Sequence, residues 1–360
     1  MLPLLDEAWG NPSSVHQVGQ RARALLDDAR DRAAGLLGTK PSELIFTSGG
    51  TESNNLAIFG AVRALKAKGK HLITSAVEHD AVLEGFDYLE KREGFAVTRL
   101  PVDTGGRVSV DSLKRALRPD TILVSIMAAN NEIGTLQPVA ELGALCREKG
   151  VVFHTDAVQW FGKEPVTSLG QFNADLVSVC AHKFHGPKGA GLLYIRSPLH
   201  LDPIFFGGGH ENEQRAGTEN LLAIVGLVAA LERFVKTPIF ERSGLVACQN
   251  RLREAVAGIA GCELVSPAEH CLANTVAFVV AGADSIALLA GLDMEGICAS
   301  SGSACSAGSL EPSHVIVALG KPERANSLVR FSLGRASTLA EVATVCGVLP
   351  EIIRRARLGR

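Results

Sequence analysis

Short apolar runs alternate with amphipathic segments of helical length between about residue 45 and residue 236. Runs such as 71–75 (HLITS) and 121–129 (TILVSIMAA) are short and apolar, as buried strands are. Segments such as 52–69 repeat an apolar residue every three to four positions, which is typical of a helix with one buried face. Strands and helices that alternate in this way predict a mainly parallel sheet covered by helices on both faces.

The same reading assigns the other elements of this part of the chain. The predicted strands are 44–48, 71–75, 96–102, 121–129, 151–158, 175–183 and 189–196. The predicted helices are 52–69, 111–119, 138–150 and 219–236.

The order of the predicted elements changes after about residue 237. An amphipathic helix is followed by a strand at 275–280, an apolar segment at 285–292, a stretch rich in Gly, Ala and Ser, a strand at 329–335 and a final helix. This order predicts a smaller α+β domain. We therefore expect two domains, 1–236 with a short N-terminal arm and 237–360.

Composition narrows the possible functions. The chain has 360 residues, 46% of them hydrophobic, and a net charge of −2, which argues against a nucleic-acid-binding protein. No uninterrupted apolar run approaches the roughly 18 residues of a membrane span, and the first residues do not resemble a secretory signal. We therefore expect a cytoplasmic protein without a membrane segment. The eight cysteines form no C-x-x-C pair and no zinc-finger spacing, so no metal site is predicted.

Polar residues lie at or just beyond the ends of five of the predicted strands. They form the segments GGTESNN, AVEHDAV, NNEIGT, DAVQ and CAHK. Because ligands bind beyond the carboxyl ends of such strands, we expect these segments to meet at one site.

Three of these segments together favour a phosphorylated pyridine cofactor. The Gly49–Gly50 pair and Thr51 suit a phosphate at a helix start, although alone they could form an ordinary helix cap. Asp156, in an apolar strand, could pair with a protonated ring nitrogen or could merely cap a helix. Lys183, surrounded by glycines in CAHKFHGPKGAG, could act as an amine nucleophile in a dry pocket. The combination suits pyridoxal 5′-phosphate (PLP).

Three further residues are candidates for chemistry. His79 could stack on a flat ring or move protons, or it could be a structural histidine. Cys305 lies in ASSGSACSAGS, whose small residues predict a mobile loop with an exposed thiol, which could be a nucleophile or have no function. Arg330, inside a predicted strand, suits a substrate carboxylate, and Arg335 is an alternative.

Motifs along most of the chain resemble those of the NifS/IscS-type cysteine desulfurases, group I, of the class V aminotransferases. The matching segments are GNPSSVH (10–16), FTSGGTESNNLAI (46–58), VEHDAVL (77–83), NNEIGTLQPV (130–139), HTDAVQ (154–159), AHKFHGPKGAGLLY (181–194), GGGHENEQRAGTEN (207–220), SSGSACSAGS (300–309) and RFSLGR (330–335). The resemblance implies the aspartate-aminotransferase fold (PLP fold type I) and a homodimer. It also implies conversion of L-cysteine to L-alanine, with the sulfur carried as an enzyme persulfide.

The resemblance also implies roles around the cofactor ring. Lys183 would hold PLP covalently, Asp156 would pair with the pyridine nitrogen, and Gln159 would bond the ring hydroxyl. His79 would stack on the ring.

Further roles concern the phosphate, the substrate and the sulfur. Gly50, Thr51 and His182 would bind the phosphate, joined by Thr218 of the partner subunit; Cys180 stands where the family commonly has serine. Asn131 and Arg330 would hold the substrate carboxylate. Cys305 would become the persulfide and pass its sulfur to an acceptor protein for iron–sulfur clusters, thiolated cofactors or tRNA.

The sequence departs from the family pattern at three places. A strand resembling YLDNNATT, which usually precedes the point where this chain begins, is absent, so we expect either a truncated start or a missing pocket wall. Cys180 is a weaker hydrogen-bond donor than serine. The C-terminal RRARLGR does not resemble the tail with which some members bind a scaffold protein. Two alternatives therefore remain: a selenocysteine lyase, or an impaired paralogue that acts as a binding or regulatory partner.

Overall fold

The computed structural model describes residues 1–302 and 312–358. Within these residues the larger sheet contains seven strands. They are β1 (Leu44–Thr47), β2 (His71–Ser75), β3 (Ala96–Leu100), β4 (Thr121–Ser125), β5 (Val152–Asp156), β6 (Leu176–Cys180) and β7 (Gly191–Ile195). Their order is β1-β7-β6-β5-β4-β2-β3, and β7 is antiparallel to both of its neighbours whereas β2 to β6 are mutually parallel. The predicted mainly parallel sheet is confirmed.

Helices cover both faces of this sheet. They are α1 (Leu2–Glu7), α2 (Gln17–Leu37), α3 (Gly50–Leu65), α4 (Asp80–Glu93), α5 (Val110–Ala116), α6 (Val139–Lys149) and α7 (Leu221–Phe234). In β6, Val177 and Val179 pack into a cluster with α2 and α7, whereas Leu176 packs into a second cluster with α3. A strand that is buried on both faces has no solvent side, which explains why β6 is almost entirely apolar.

The region before residue 45 differs from the short arm that the sequence suggested. Helix α2 has 21 residues, begins after His16, whose Nδ1 accepts from the backbone N–H of Gly19, and ends at Gly38 in a left-handed conformation. Its buried face consists largely of alanines, such as Ala22, Ala29 and Ala33. Alanine is only weakly hydrophobic, so the helical period is hard to see in the sequence.

A smaller antiparallel sheet follows, in the order β10-β9-β8. The elements of this part are α8 (Arg242–Ala257), β8 (Cys262–Leu264), β9 (Thr275–Val280), α9 (Ser285–Met294), α10 (His314–Ala318), β10 (Leu328–Ser332) and α11 (Leu339–Leu358). Phe278 and Ile353 belong to one apolar cluster of this part. Ala277 and Val279 of β9 instead pack in a cluster with Val77 and Ile133. The segment before β9 contacts the loop between β4 and α6, since the N–H of Leu136 donates to the carbonyl of His270 at 2.6 Å.

Several strands end earlier than the sequence predicted, and at β6 the difference positions the site. The predicted strand 175–183 ends at Cys180, and Ala181–Phe184 form a 3-10 helix instead. The N–H of Gly186 donates to the carbonyl of Ala181 at 2.9 Å and closes this turn. The turn takes Lys183 out of the sheet at its carboxyl edge.

No helix within 1–302 and 312–358 combines the length and the apolar composition that crossing a bilayer requires.

Candidate active site

A cavity of about 410 Å³ lies beyond the carboxyl ends of the parallel strands, where Arg330 of β10 also reaches it. This volume falls in the usual range of small-molecule pockets, roughly 300–1,000 Å³. Ten residues that the sequence singled out line it. They are Gly50, Thr51, His79, Asn131, Asp156, Gln159, Cys180, His182, Lys183 and Arg330. The expected convergence of the segments that follow the strands is therefore present.

The start of α3 and the end of β6 form one end of the cavity. A Cβ atom at Gly50 would lie 2.8 Å from Cγ2 of Val158, so a larger residue would displace that side chain. Sγ of Cys180 lies 2.9 Å from Nδ1 of His182. Burial raises the pKa of the Cys180 thiol, and burial together with the Lys183 cation lowers the pKa of His182. The backbone N–H groups at the start of α3 suit this end to a phosphate.

Asp156, at the end of β5, is held in one orientation. Nδ2 of Asn54 donates to its Oδ2 at 2.7 Å, and the N–H of Val158 donates to its Oδ1 at 2.9 Å. Asn54 is buried, and its Oδ1 has no hydrogen-bond partner among the described residues. A buried carboxylate fixed in this way is suited to a cationic ring nitrogen.

Two lysines line the cavity, and the deeper one is not the one that the sequence analysis expected. Lys183 is half-buried on its 3-10 helix, whereas Lys163 is only 7% exposed. Burial, together with the nearby Lys183 cation, lowers the pKa of Lys163 to about 7. The expected dry environment for Lys183 is thus found at Lys163, four residues after Gln159 in the turns that follow β5.

His79 caps the start of α4 with its ring. Its Nδ1 accepts from the N–H of Ala81 at 3.0 Å, so a neutral ring carries its proton on Nε2. Beneath it, Glu78 is fully buried, and this burial raises the pKa of its carboxyl to about 8. The Glu78 carboxyl accepts from Oγ of Ser75 at 2.6 Å and from the N–H of Met127 at 3.0 Å. These hydrogen bonds of Glu78 fix the segment that carries His79.

Arg330 projects from β10 towards the loop after β4. Its Nη1 donates to the carbonyl of Asn131 at 2.5 Å and to the carbonyl of Gly302 at 3.2 Å. Its Nε is buried without a partner among the described residues. Burial lowers the pKa of Arg330, and the Glu132 carboxylate opposes this effect. A guanidinium with an unused donor is suited to a carboxylate. Arg335, the alternative, is exposed and does not line the cavity.

Thr218, which the sequence predicted as a phosphate ligand, is not brought to this cavity. Thr218 is exposed and lies outside its lining; the neighbouring Glu219 instead lines a separate cavity of about 620 Å³. Cys305 lies outside the described residues.

The sequence analysis did not single out Asn54, Lys163 or Glu78. Asn54 follows Gly50 by four positions and therefore lies on the same face of α3. The same spacing relates Lys163 to Gln159. A search for polar residues four positions after each predicted site residue would have found these two residues, whereas the burial of Glu78 depends on packing that only the fold shows.

These features fit PLP: a carboxylate for the ring nitrogen, an amine in reach of the cavity, a glycine at the anion-binding helix start and an arginine for a second anionic group.

Comparison with known proteins agrees with this fit. Residues 1–345 match the family described as aminotransferase class-V. A protein named cysteine desulfurase IscS from Dictyoglomus turgidum is 47% identical, over 99% of this chain and 91% of that protein. A solved structure described as a NifS-like protein is 35% identical with a TM-score of 0.90, covering 98% of this chain and 94% of that one. A structure titled SspA in complex with cysteine is 36% identical with a TM-score of 0.79, covering 92% and 93%. The chain thus belongs to the class V aminotransferase family, which has PLP fold type I and depends on PLP, and within it to the IscS- and NifS-like cysteine desulfurases.

Proposed function

We propose that this chain converts L-cysteine to L-alanine with PLP bound in the cavity of about 410 Å³. The observation that carries the proposal is the arrangement of Lys183, Asp156 and the start of α3 around that one cavity. PLP, when bound, supplies an electron sink that stabilises negative charge on the substrate carbon.

The proposed roles of the chain's residues at the cofactor follow from their contacts. Lys183 holds PLP covalently through its Nζ, while Asp156, fixed by Asn54, keeps the ring nitrogen protonated. His79 stacks on the ring and bears a proton on Nε2 that it can give up or take back. Gln159 bonds the ring hydroxyl.

The phosphate and the substrate carboxylate are proposed to occupy opposite ends. Gly50 and Thr51, at the start of α3, bind the phosphate together with Cys180 and His182. At the other end, Arg330 exchanges a bond to a backbone carbonyl for a bond to the substrate carboxylate, to which Asn131 also donates. The phosphate and the substrate carboxylate therefore bind to separate sets of hydrogen-bond donors.

Cys305 is the proposed sulfur acceptor. Its thiolate attacks the sulfur of the bound substrate, an S–S bond forms, and the substrate C–S bond breaks. The electron pair of that bond stays on the carbon, which takes up a proton and becomes the methyl group of alanine. The products are L-alanine and a persulfide on Cys305, so the step needs no external reductant.

The proposal extends to the setting of the enzyme. We assign residues 1–236 and 237–360 to two domains, each with its own sheet. We propose a homodimer in which Thr218 reaches the phosphate of the partner subunit. Two observations support this: Thr218 does not line the cavity of its own subunit, and Phe206 and Trp9 are exposed. The sulfur would pass to an acceptor protein in the cytoplasm, where thiols stay reduced; the seven described cysteines are all free.

Mass spectrometry tests the proposal. The PLP-loaded chain is mixed with an equal amount of L-cysteine, alkylated and digested, and the peptide that contains Cys305 is analysed. We expect one additional sulfur atom on that peptide and none on the peptide of Cys298, which is the exposed cysteine among the described residues. A sulfur found elsewhere, or alanine formed without any persulfide, would contradict the proposal. Faster turnover of L-selenocysteine than of L-cysteine would favour the lyase alternative.

A further inference from the structure

Lys163 is a buried amine with an unusual set of partners. Its Nζ donates to the backbone carbonyl of Gln159 at 3.1 Å and to the side-chain Oε1 of the same residue. Both acceptors are neutral. Burial of an ammonium group is strongly unfavourable unless it is paired or serves a function.

The charges around Lys163 come from three directions. Lys183, after β6, and Arg330, on β10, lower its pKa, whereas Asp156, on β5, raises it. Two cations therefore face it against one carboxylate, and that carboxylate already accepts two hydrogen bonds from protein groups. An anionic ligand in the cavity would relieve this excess of positive charge.

The contact with Lys163 fixes the orientation of the Gln159 amide. A lysine ammonium can only donate, so the atom it bonds must be the amide oxygen. The amide nitrogen is then the free end of the side chain, and Gln159 lines the cavity. The hydrogen bonds of the described residues include none donated by that nitrogen, so both of its protons remain available to a ligand.

We propose that Lys163 is a positioning residue for Gln159: it directs the Gln159 amide N–H groups at the ring oxygen of PLP and favours the ionised form of that oxygen. This inference rests on the proposed function, because it takes PLP as the ligand. Lys163 acts through Gln159 and touches no reacting atom.

The pKa of Lys163 gives the assignment a consequence that depends on pH. The pKa of Lys163, about 7, means that it gains or loses its charge near neutral pH. An anionic ring oxygen would favour the charged form, so the contribution of Lys163 to PLP binding should be larger at pH 6.5 than at pH 9.

A double-mutant cycle on PLP binding tests the proposal. The apo forms of the wild type, Lys163→Met, Gln159→Ala and the double variant are titrated with PLP, and the visible absorption gives each dissociation constant. We expect Lys163→Met to weaken binding about tenfold, as loss of a charge-assisted hydrogen bond does. In the Gln159→Ala background the same change should weaken it less than about twofold.

The control is Lys149→Met, which removes an exposed lysine from α6 and should leave the dissociation constant unchanged. Equal weakening by Lys163→Met in both backgrounds would overturn the proposal, since Lys163 would then not act through Gln159. No weakening at all, or a ratio of dissociation constants that does not fall between pH 6.5 and pH 9, would overturn it as well. If the wild type itself does not bind PLP, the proposed function fails instead, so the two failures are distinguishable.

A second variant keeps the test decisive if Lys163→Met does not fold. In Gln159→Glu, the carboxylate still accepts from Lys163 but presents an anionic oxygen to the ring oxygen instead of an N–H group. PLP affinity should therefore fall below that of Gln159→Ala. Equal affinity of these two variants would refute the proposed orientation.

Discussion

Replacing Cys180 by serine should tighten PLP binding. The Cys180 side chain is 2% exposed, lies beside the start of α3, and contacts Nδ1 of His182 at 2.9 Å. Because burial raises the pKa of this thiol, it is neutral at pH 7, and a neutral thiol is a weak hydrogen-bond donor. A serine hydroxyl is a stronger donor to the phosphate.

The magnitude follows from what the hydroxyl can add. A hydrogen bond to a charged group contributes about 1.5–3 kcal/mol. The hydroxyl would be shared between the phosphate and His182, and the thiol already supplies a weak contact, so we expect a gain of about 1 kcal/mol. This corresponds to a dissociation constant about fivefold lower, since 1.4 kcal/mol is tenfold.

The assay is a titration of apo-protein with PLP, followed by visible absorption, for the wild type and Cys180→Ser. Cys248→Ser is the matched control, because Cys248 is buried on α8 and does not line the cavity. It should lower the melting temperature and leave the dissociation constant unchanged. If Cys180→Ser folds as the wild type does but binds PLP equally or more weakly, the reasoning about the phosphate end is refuted.

Three further substitutions give distinct results. Lys183→Ala should abolish the visible absorption of bound PLP and all alanine formation. The control, Lys188→Ala in the same glycine-rich segment, should keep the absorption. Retained turnover in Lys183→Ala would contradict the covalent role of Lys183. Cys305→Ser should keep the absorption but form no persulfide, with Cys298→Ser as the control that retains both; a normal rate of sulfide release would point to another acceptor. Glu78→Gln should reduce the pH dependence of stability: burial raises the folded pKa of Glu78 from 4.5 to about 8, so the wild type loses stability as pH rises through that value. Relative to the variant it should lose on the order of 2–4 kcal/mol of unfolding free energy between pH 5 and pH 8, measured by urea denaturation, and parallel curves would contradict this.

The sequence predicted the larger sheet well because most of its strands are buried on both faces. β6 and β7 consist mostly of apolar residues and have no solvent side, and such runs are visible without any knowledge of the packing. Helix α2 was not predicted from the sequence, because alanines form much of its buried face.

The candidate site was predictable where a residue type and a local motif coincide. The roles of Asp156, at a strand end, and of Lys183, among glycines, can be predicted from the sequence alone. The role of Lys163 cannot, because its burial depends on how the turns after β5 pack against Phe184. The packing there is close, since a Cβ at Gly162 would lie 2.3 Å from Cβ of Phe184. Partnerships between distant segments, such as Asn54 with Asp156, likewise arise only when the chain folds.

The visible spectrum of the purified chain before and after addition of L-cysteine tests the central claim most directly. The chain loaded with PLP should be yellow, and L-cysteine should change its absorption and yield L-alanine, with an equal amount of sulfur recovered as persulfide and, with a thiol present, as sulfide. A chain that does not bind PLP, or that binds it without producing alanine, would contradict the account.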